Sequence, residues 1–334
     1  MMPIPYLDLT PSPLLASELN AAYDRVAGSG KYIGGREVEA FERAWADYCN
    51  VNFCVGVGNG HDALALAVKY YSEPWNGLGF SVLTPWKTCL PTFAAVRNGG
   101  GYPVLSEDGF CLAAIAVHIY GQITLPCVSF DMPLIEDCAQ AHGASLNGVK
   151  AGKFGTVAAW SFYPTKNLGA LGDAGAVTTD NEEIAYFVRT RSNYGTPSDT
   201  GINSRLDPLQ AAFLSVKLCY LDEWNRRRED NAHAYCQTIR RDVIDVPFFS
   251  IRGGPCWHIF AIETDDRDGL ATYLREHGVE TMIHYPRVPY SPVYKIPEAE
   301  RWVSRTLSLP IAPHVTPEQC KQIGELINQW TPSK

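Results

Sequence analysis

The chain has 334 residues, of which 46% are hydrophobic, 11% aromatic and 19% charged, and its formal net charge is -8. This length can hold a large core and favours two lobes, and the negative charge argues against nucleic acid or an acidic membrane as partner. The N-terminus lacks a basic, apolar leader, and no apolar run reaches the roughly 18 residues of a membrane span. We therefore expect a cytoplasmic protein, with ten scattered cysteines that are reduced and no zinc motif.

Strands and helices alternate in the first half of the predicted secondary structure. Apolar periodicity and turn residues predict helices over residues 11–27, 36–49 and 63–71. They predict strands over residues 53–57, 81–84, 102–105, 114–119, 134–137, 157–162 and 174–179. This alternation indicates an α/β fold with a mostly parallel sheet covered by helices on both faces.

The second half is predicted to contain more helix. A helix over residues 182–191 is followed by a loop over 192–201. A long helix is then expected from Pro208 to about residue 241, with Asp207 as its cap. Beyond it, the pattern predicts strands over 258–263 and 280–284 and helices over 267–277, 298–307 and 316–330.

Between the strands predicted over 157–162 and 174–179 lies a turn that contains Lys166, one proline and two glycines. This turn offers no solvated helical face, so the lysine side chain is expected to point inward. A buried lysine loses its proton readily and can form a Schiff base with a carbonyl compound such as pyridoxal phosphate. The alternative is a surface lysine on a tight turn.

An acidic segment follows the strand predicted over 134–137, at the sheet edge where open α/β proteins bind ligands. A carboxylate there could keep a cofactor's pyridine nitrogen protonated, since two unit charges ~3 Å apart attract by roughly 5 kcal/mol at an effective dielectric of ~20. Strand alternation directs Glu136 to the other face, so Asp137 is the candidate. Its alternative role is a helix N-cap.

A glycine-rich turn connects the strand over 53–57 to the next helix. Free N–H groups at a helix N-terminus form an anion site, and a plain strand-to-helix turn is the alternative. The spacing of Gly56, Gly58 and Gly60 does not complete the dinucleotide pattern, because His61 occupies the sixth position. A dinucleotide-binding fold is therefore disfavoured.

Several sequence blocks together resemble the DegT/StrS family of pyridoxal-phosphate-dependent sugar aminotransferases, from about Tyr6 to the C-terminus. In order, they are GxxVxxFE from residue 35, GNGHDAL from 58, VHIYG from 117, EDCAQAHG from 136, SFYPTKNLG from 161, GDAG from 172, NSRLD from 203, IHYP from 283 and LSLP from 307. Within the family, the blocks from 161 to 175 and from 203 look most like enzymes that aminate C3 of nucleotide-linked 3-keto-6-deoxyhexoses.

The resemblance implies the fold type I architecture of pyridoxal phosphate enzymes. A large cofactor-binding domain over residues 1–220 is followed by a small α/β domain over 221–334, with the N-terminal segment packing on the small domain. The implied cofactor is pyridoxal phosphate, which becomes pyridoxamine phosphate in the aminated half-reaction.

The resemblance also implies the residues that bind this cofactor. Lys166 forms the internal aldimine and then moves the proton between cofactor and substrate carbon, while Asp137 pairs with the pyridine nitrogen and Gln140 bonds the phenolic oxygen. Ser161 and the N–H groups around Gly60, His61 and Asp62 hold the phosphate.

Other implied residues concern the second subunit and the substrate. Asn203 reaches in from the other protomer, so a homodimer is implied. His284 and Tyr194 are the residues expected on the sugar side, with a core position as the alternative for His284.

Three positions depart from the family pattern. His61 replaces a residue that is commonly threonine, which alters one phosphate contact, and Cys89 stands where an aromatic side chain usually stacks on the cofactor. Trp86 is the nearest candidate to replace that ring, with ordinary packing as its alternative. The connection between Val104 and Ala114 has nine residues, too few for a packed crossover helix, so a loop or an antiparallel pairing is predicted.

The predicted reaction is transfer of an amino group from L-glutamate to a nucleotide-linked, dTDP-type 3-keto-6-deoxyhexose in deoxyaminosugar biosynthesis. Amination of a 4-keto-6-deoxyhexose is the nearest alternative. A sugar dehydratase is disfavoured because the family's dehydratases replace the lysine with histidine. A non-catalytic, ligand-binding regulator is disfavoured because the chain has no nucleic-acid-binding module.

Overall fold

The structure is a computed structural model. It describes residues 3–75, 78–105, 111–127, 129, 131–197, 199–240, 244–245, 253–287 and 296–331, with residues 199 and 253 described by their backbone alone. None of the helices in these ranges is long and apolar enough to cross a membrane.

A seven-stranded sheet is the centre of the first lobe. Its strands are β1 (Phe53–Val57), β2 (Ser81–Leu83), β3 (Tyr102–Val104), β4 (Ala113–Val117), β5 (Leu134–Asp137), β8 (Val157–Ser161) and β9 (Gly175–Thr179), in the spatial order β1-β9-β8-β5-β4-β2-β3. β9 is antiparallel to both of its neighbours, and every other pair is parallel. The expected mostly parallel sheet is confirmed.

Two buried clusters and the flanking helices cover this sheet. The flanking helices are α2 (Arg36–Cys49), α3 (Gly60–Ser72), α4 (Leu90–Asn98), α5 (Glu182–Arg191) and α6 (Pro208–Leu218), and α1 (Pro13–Ser29) packs on α6. One cluster places Trp45 of α2 against Trp160 of β8, and the other contains Leu64 of α3 and Ile115 of β4. The sheet is therefore buried on both faces, as its nearly continuous apolar strands predict.

The second lobe has its own core. Its elements are α7 (Leu221–Thr238), β13 (Phe260–Glu263), α8 (Arg267–Glu276), α9 (Pro297–Arg305), β14 (Thr306–Leu309) and α10 (Pro317–Gln329). Phe260, Leu307 and Ile323 belong to its buried cluster, and so does Ile4 from the N-terminus, whose N–H donates to Gly278 O at 2.8 Å. The expected domain boundary after residue 220 falls between α6 and α7 and stays a prediction.

Four short strands complete the fold. β6 (Ser145–Leu146) pairs with β7 (Val149–Lys150) and with β12 (Gly253–Gly254). The segment expected as a loop over 192–201 instead forms a hairpin of β10 (Asn193–Thr196) and β11 (Asp199–Asn203). Its polar residues show no apolar alternation, so cross-strand pairing decides its conformation, as is common for strands.

Other elements differ from their predictions. The expected long helix is two helices, since α6 ends at Leu218 and the next helix begins at Leu221. No glycine or proline lies between them, so the sequence gives no sign of this interruption. Asp207 precedes α6 but its side chain caps nothing. The strand expected over 280–284 is reduced to one bridge, between Met282 and Ser308, and β14 occupies part of a predicted helix end.

The structure tests part of the prediction for the short connection between Val104 and Ala114, which was a loop or an antiparallel pairing. Antiparallel pairing is wrong: β3 and β4 lie on opposite sides of β2, and both are parallel to it. The loop alternative concerns residues 106–110, which lie outside the described residues.

Candidate active site

Four chain segments meet at one edge of the large sheet. Asp137 ends β5, Ser161 ends β8, and β1 leads directly into α3. The reversed strand β9 begins here, and its first residue, Gly175, pairs with both Val57 and Ser161. Since the carboxyl ends of parallel strands are where open α/β sheets bind ligands, this edge is the candidate site.

The N-terminus of α3 lies directly against β8. A Cβ built on Gly60 would come within 2.4 Å of the Cβ of Ser161, and one on Gly175 within 2.4 Å of the Asn59 carbonyl carbon. Glycine is therefore required at both positions. The arrangement places the free N–H groups of a helix N-terminus beside the Ser161 hydroxyl, which forms a cradle suited to a phosphate group.

Not all of the expected phosphate donors are available. Asn59 caps α3, and its Oδ1 accepts the Asp62 N–H at 2.8 Å. The Asp62 carboxylate accepts the Ser204 hydroxyl at 2.6 Å. Asp62 therefore stabilises the cradle, whereas the N–H groups of Gly60 and His61 are not used by the helix or its cap.

His61 directs its side chain toward a neighbouring helix. Its Nε2 lies 2.8 Å from Asn98 Nδ2 of α4. The imidazole is thus engaged in a contact between helices, and the backbone N–H is the part of His61 that remains for a phosphate.

Lys166 is held by a compact turn. Its N–H donates to Tyr163 O at 2.8 Å, and Ala170 N donates to Phe162 O at 2.8 Å. The side chain is half-buried, and desolvation of its amine lowers the pKa of Lys166, with the Cys89 thiol and the Asp137 carboxylate acting in the opposite direction. The predicted inward orientation therefore agrees with the structure, and a larger fraction of the amine is uncharged and nucleophilic than for an ordinary lysine.

Asp137 is oriented by two hydrogen bonds. Thr92 Oγ1 donates to its Oδ2 at 2.8 Å, and Ala139 N donates to its Oδ1 at 3.2 Å. The carboxylate is nearly fully buried, close enough to Lys166 and Cys89 to affect the pKa of both. Asp137 is thus the carboxylate that faces the lysine.

Glu136 points to the other face, as strand alternation predicts. Its two oxygens accept the N–H groups of Gly152, Phe154 and Gly155 at 2.7–2.8 Å, and its Oε2 lies 2.8 Å from His118 Nε2. These bonds hold the segment between β7 and β8 in place. Glu136 therefore has a structural role, although it could ligate a metal together with His118 and Cys138 on spacing alone.

Cys89 lies at the start of α4, near the lysine. Burial raises the pKa of its thiol, with Asp137 acting in the same direction and Lys166 opposing. Trp86, the candidate to replace the usual stacking ring, instead packs edge-on against Trp302 with ring centroids 6.0 Å apart. Its packing role is therefore the one that the structure supports.

Gln140 connects the two lobes. Its Oε1 accepts the Tyr120 N–H at 2.6 Å, and its Nε2 donates to the Tyr285 hydroxyl at 2.5 Å. The Tyr120 hydroxyl in turn donates to the carbonyl of His284. One Nε2 hydrogen of Gln140 remains available for a second acceptor, as the expected contact with a phenolic oxygen requires.

The remaining predicted residues lie around this centre. His284 is half-buried, with Nδ1 3.0 Å from Ser308 Oγ, and burial together with Lys166 lowers its pKa to about 4. Tyr194 and Asn203 are exposed on the β10–β11 hairpin, where the Tyr194 ring lies 5.5 Å from the guanidinium of Arg205. Neither side chain makes a hydrogen bond or ring contact with the described residues of the lysine turn.

The residues present fit pyridoxal phosphate. Lys166 offers an amine of lowered pKa, Asp137 an oriented carboxylate, and the cradle around Gly60 and Ser161 leaves no room for a Cβ where a phosphate must approach closely. An amine for an aldehyde, an anion for a pyridine nitrogen and N–H donors for a phosphate are the contacts that this cofactor needs.

Sequence reasoning missed several residues of the site. Thr92, Asn167 and His258 were not singled out, although all three contact predicted residues or their neighbours. Thr92 lies three residues after Cys89, so the matched block around that cysteine could have indicated it. No local signal marks His258, because a single histidine at the start of a predicted strand has many possible roles.

Comparisons with known proteins identify the family of this chain. The profile of the DegT/DnrJ/EryC1/StrS aminotransferase family matches residues 13–109 and 108–328, and it breaks at the short connection between β3 and β4. The dTDP-3-amino-3,6-dideoxy-alpha-D-galactopyranose transaminase of Aneurinibacillus thermoaerophilus is 38% identical, covering 98% of this chain and 99% of the relative. The dTDP-3-amino-3,4,6-trideoxy-alpha-D-glucose transaminase of Streptomyces venezuelae is 36% identical, covering 98% and 96%.

A solved structure is similar over nearly the whole chain. The crystal structure of S. venezuelae DesV in complex with a ketimine intermediate has 35% identity and a TM-score of 0.88, covering 99% of both chains. Fold, site and similarity together define a pyridoxal-phosphate-dependent sugar aminotransferase. The chain belongs to the DegT/DnrJ/EryC1/StrS aminotransferase family.

Proposed function

We propose that this protein transfers an amino group from L-glutamate to the C3 ketone of a dTDP-linked 3-keto-6-deoxyhexose, as a step of deoxyaminosugar biosynthesis. The observation that carries the proposal is the pairing of a lysine amine of lowered pKa with a buried, oriented carboxylate at the sheet edge. The choice of C3 is supported by two relatives named as 3-amino-sugar transaminases, at 38% and 36% identity.

Each side chain has a defined task in this reaction. When bound, pyridoxal phosphate supplies an aldehyde that condenses with amines and a ring that accepts the electron pair of the substrate carbon. Desolvation favours the uncharged form of the Lys166 amine, and its Nζ would accept the proton from the substrate carbon and pass it to the cofactor. Asp137, fixed by Thr92, holds the proton on the pyridine nitrogen. The N–H groups of Gly60 and His61, with the Ser161 hydroxyl, bind the phosphate.

The first experiment tests whether the protein is an aminotransferase. Purified protein with pyridoxal phosphate should convert L-glutamate and the dTDP-linked 3-keto sugar to an amino sugar, and Lys166→Ala should lose both the lysine-bound cofactor and the activity. Lys153→Ala is the matched control, because Lys153 forms only a surface ion pair with Asp180. A Lys166→Ala variant that still transaminates would refute the proposal.

The second experiment tests the position of amination. No single residue of the sequence fixes which carbon reaches Lys166, so the position of amination must be measured. NMR should show that the 3-keto substrate is converted to a sugar with an amino group at C3, and that the 4-keto substrate reacts little. A strong preference for the 4-keto sugar would overturn the C3 assignment and leave the aminotransferase activity intact.

We also infer a homodimer, located in the cytoplasm, in which Asn203 completes the partner's site. Support comes from the exposed apolar side chains of Tyr194 and Ile202 on the same hairpin and of Tyr163 and Leu171 beside the lysine turn. The ten free cysteines are typical of a reducing compartment.

Mixing subunits tests this shared site. If Asn203 acts on its partner, heterodimers of Lys166→Ala and Asn203→Ala subunits contain one intact site, so mixing two inactive preparations should restore activity. If Asn203 acts within its own subunit, each mixed site keeps one defect and no activity returns. Light scattering that finds a monomer under assay conditions would also contradict the proposal.

A further inference from the structure

The imidazole of His258 is held in one orientation by Asn167, the residue after Lys166. Asn167 Nδ2 donates to the Cys256 carbonyl oxygen at 2.7 Å and to Asn225 Oδ1 at 2.9 Å. Because a backbone carbonyl can only accept, these bonds identify the nitrogen end of the Asn167 amide. Its Oδ1 therefore accepts from His258 Nδ1, 3.0 Å away, and the hydrogen of the neutral ring is on Nδ1.

The surroundings of His258 also fix its charge. Burial, followed by the positive charges of Lys166 and Arg228, holds the pKa of His258 well below its usual range. Arg228 restrains the backbone as well, since its Nη1 donates to the carbonyls of Trp257 and His258 at 3.1 and 3.3 Å. At neutral pH the ring is uncharged with a lone pair on Nε2, and Nε2 makes no hydrogen bond with the residues that the structure describes.

The segment that carries His258 is part of the wall of the active site. Cys256 Sγ donates to Gln140 O at 3.2 Å, and Ile259 N donates to Tyr120 O at 3.4 Å. Tyr120 in turn donates its N–H to the side chain of Gln140. His258 thus lies between the lysine turn on one side and the predicted cofactor residue Gln140 on the other.

We propose that His258 is a positioning residue for the substrate, whose Nε2 accepts a hydrogen bond from a hydroxyl group of the sugar ring. This inference rests on the proposed function and extends it to the sugar itself. An Nδ1-protonated, neutral imidazole offers an acceptor and no free donor, and a ketone oxygen cannot donate a hydrogen bond. The contact therefore selects a hydroxyl group rather than a ketone oxygen.

Binding measurements on the pyridoxal-phosphate-loaded protein test this role. The probes are dTDP and dTDP-linked 6-deoxyglucose, which share the nucleotide and differ by the sugar and its hydroxyls. His258→Asn keeps a donor for Asn167 but lacks the Nε2 acceptor, so it should weaken binding of the dTDP-sugar about two- to tenfold and leave dTDP binding unchanged. His258→Gln, whose amide oxygen can accept at the longer reach, should recover part of the loss. His277→Asn, at an exposed histidine of the second lobe, is the matched control.

The outcomes separate this inference from the proposed function. Unchanged dTDP-sugar binding in His258→Asn would overturn the inference alone. If the wild-type protein bound the dTDP-sugar no better than dTDP, the proposed substrate class, a dTDP-linked sugar, would be refuted. The sugar hydroxyl assigned to His258 would then be refuted as well. NMR of the protein labelled with 15N-histidine should find Nδ1 protonated and Nε2 unprotonated at pH 7. A hydrogen on Nε2 would overturn the inference. This measurement uses the wild-type protein without ligand, so it also applies if a His258 variant fails to fold.

Discussion

Gly60 and Ser161 are in direct contact although they belong to different elements: a Cβ on Gly60 would lie 2.4 Å from Ser161 Cβ and 2.8 Å from Ser161 Cα. The first turn of α3 is therefore seated on the end of β8. This contact fixes the distance between the helix N–H groups and the Ser161 hydroxyl, and so the geometry of the proposed phosphate cradle.

Gly60→Ala should weaken cofactor binding. The added methyl group would have to displace the end of β8, which moves the N–H groups away from the hydroxyl. We expect a loss of pyridoxal phosphate affinity of about tenfold or more together with a lower melting temperature, since overpacking typically costs about 1–3 kcal/mol. Gly28→Ala is the control, because a Cβ at Gly28 meets nothing within 4 Å and alanine is favoured in a helix. Equal cofactor affinity in both variants would contradict this assignment of the cradle.

Cys89→Tyr should improve cofactor retention. By its resemblance to the family, the chain has Cys89 where an aromatic ring is expected to stack, and the thiol lies near Asp137 and Lys166. Stacking is worth roughly 0.5–1.5 kcal/mol beyond buried area, so cofactor affinity should rise about two- to tenfold without a change of reaction. Loss of the cofactor during dialysis, monitored by absorbance, measures this affinity. Cys219→Tyr, at an exposed cysteine, is the control. No gain in Cys89→Tyr over the control would mean that residue 89 does not face the ring.

Reaction of the cofactor-free protein with pyridoxal phosphate should depend on pH through Lys166. Desolvation lowers the pKa of Lys166 from the usual 10.5, so the reactive uncharged amine persists to lower pH than for a surface lysine. The midpoint of the rate against pH, followed by absorbance, should therefore lie below the usual lysine value. Asp137→Asn removes a charge that raises this pKa, so its midpoint should be lower still. A midpoint at or above the ordinary lysine pKa would refute the assignment.

His142→Leu should reduce the acid sensitivity of folding. The His142 ring lies among Trp45, Trp160 and Phe162, with centroids 5.5–5.8 Å away, and neither nitrogen has a hydrogen-bond partner among the described residues. Burial, with Lys166 adding to it, lowers its pKa to about 3, although the Ser161 backbone is close enough to oppose this slightly.

The direction of this effect follows from proton binding. Between pH of about 3 and the usual histidine pKa of about 6.5, the unfolded chain binds a proton that the folded protein does not, so stability falls as pH decreases through this window. Denaturant melts from pH 7 to 5 should show a smaller loss for His142→Leu than for wild type, whereas His233→Leu, at an exposed histidine, should behave as wild type. An equal loss in all three proteins would show that His142 does not control acid stability.

The sequence by itself located the centre of the site. The strand before Asp137, the glycine turn before α3 and the turn around Lys166 are all local features, because apolar runs and turn residues reveal where strands end. Parallel strands bring those ends to one edge, so Asp137 could be placed there from residue types alone, whereas Ser161 was assigned by the family resemblance. The same local reasoning failed for the β10–β11 hairpin, because its polar strands show no apolar pattern and pair with each other.

The tertiary structure decided which distant side chains support that centre. Asn167 contacts Cys256, 89 residues further along the chain, and Thr92 contacts Asp137, 45 residues further along. No periodicity encodes such contacts, because each depends on how the two lobes pack together or on how a helix packs on the sheet. The sequence thus determined the chemistry of the lysine and the carboxylate. Packing within the first lobe determined the orientation of Asp137 by Thr92, and packing between the lobes determined that of His258 by Asn167. A hydrogen bond needs both partners in place, and the chain brings them together only on folding.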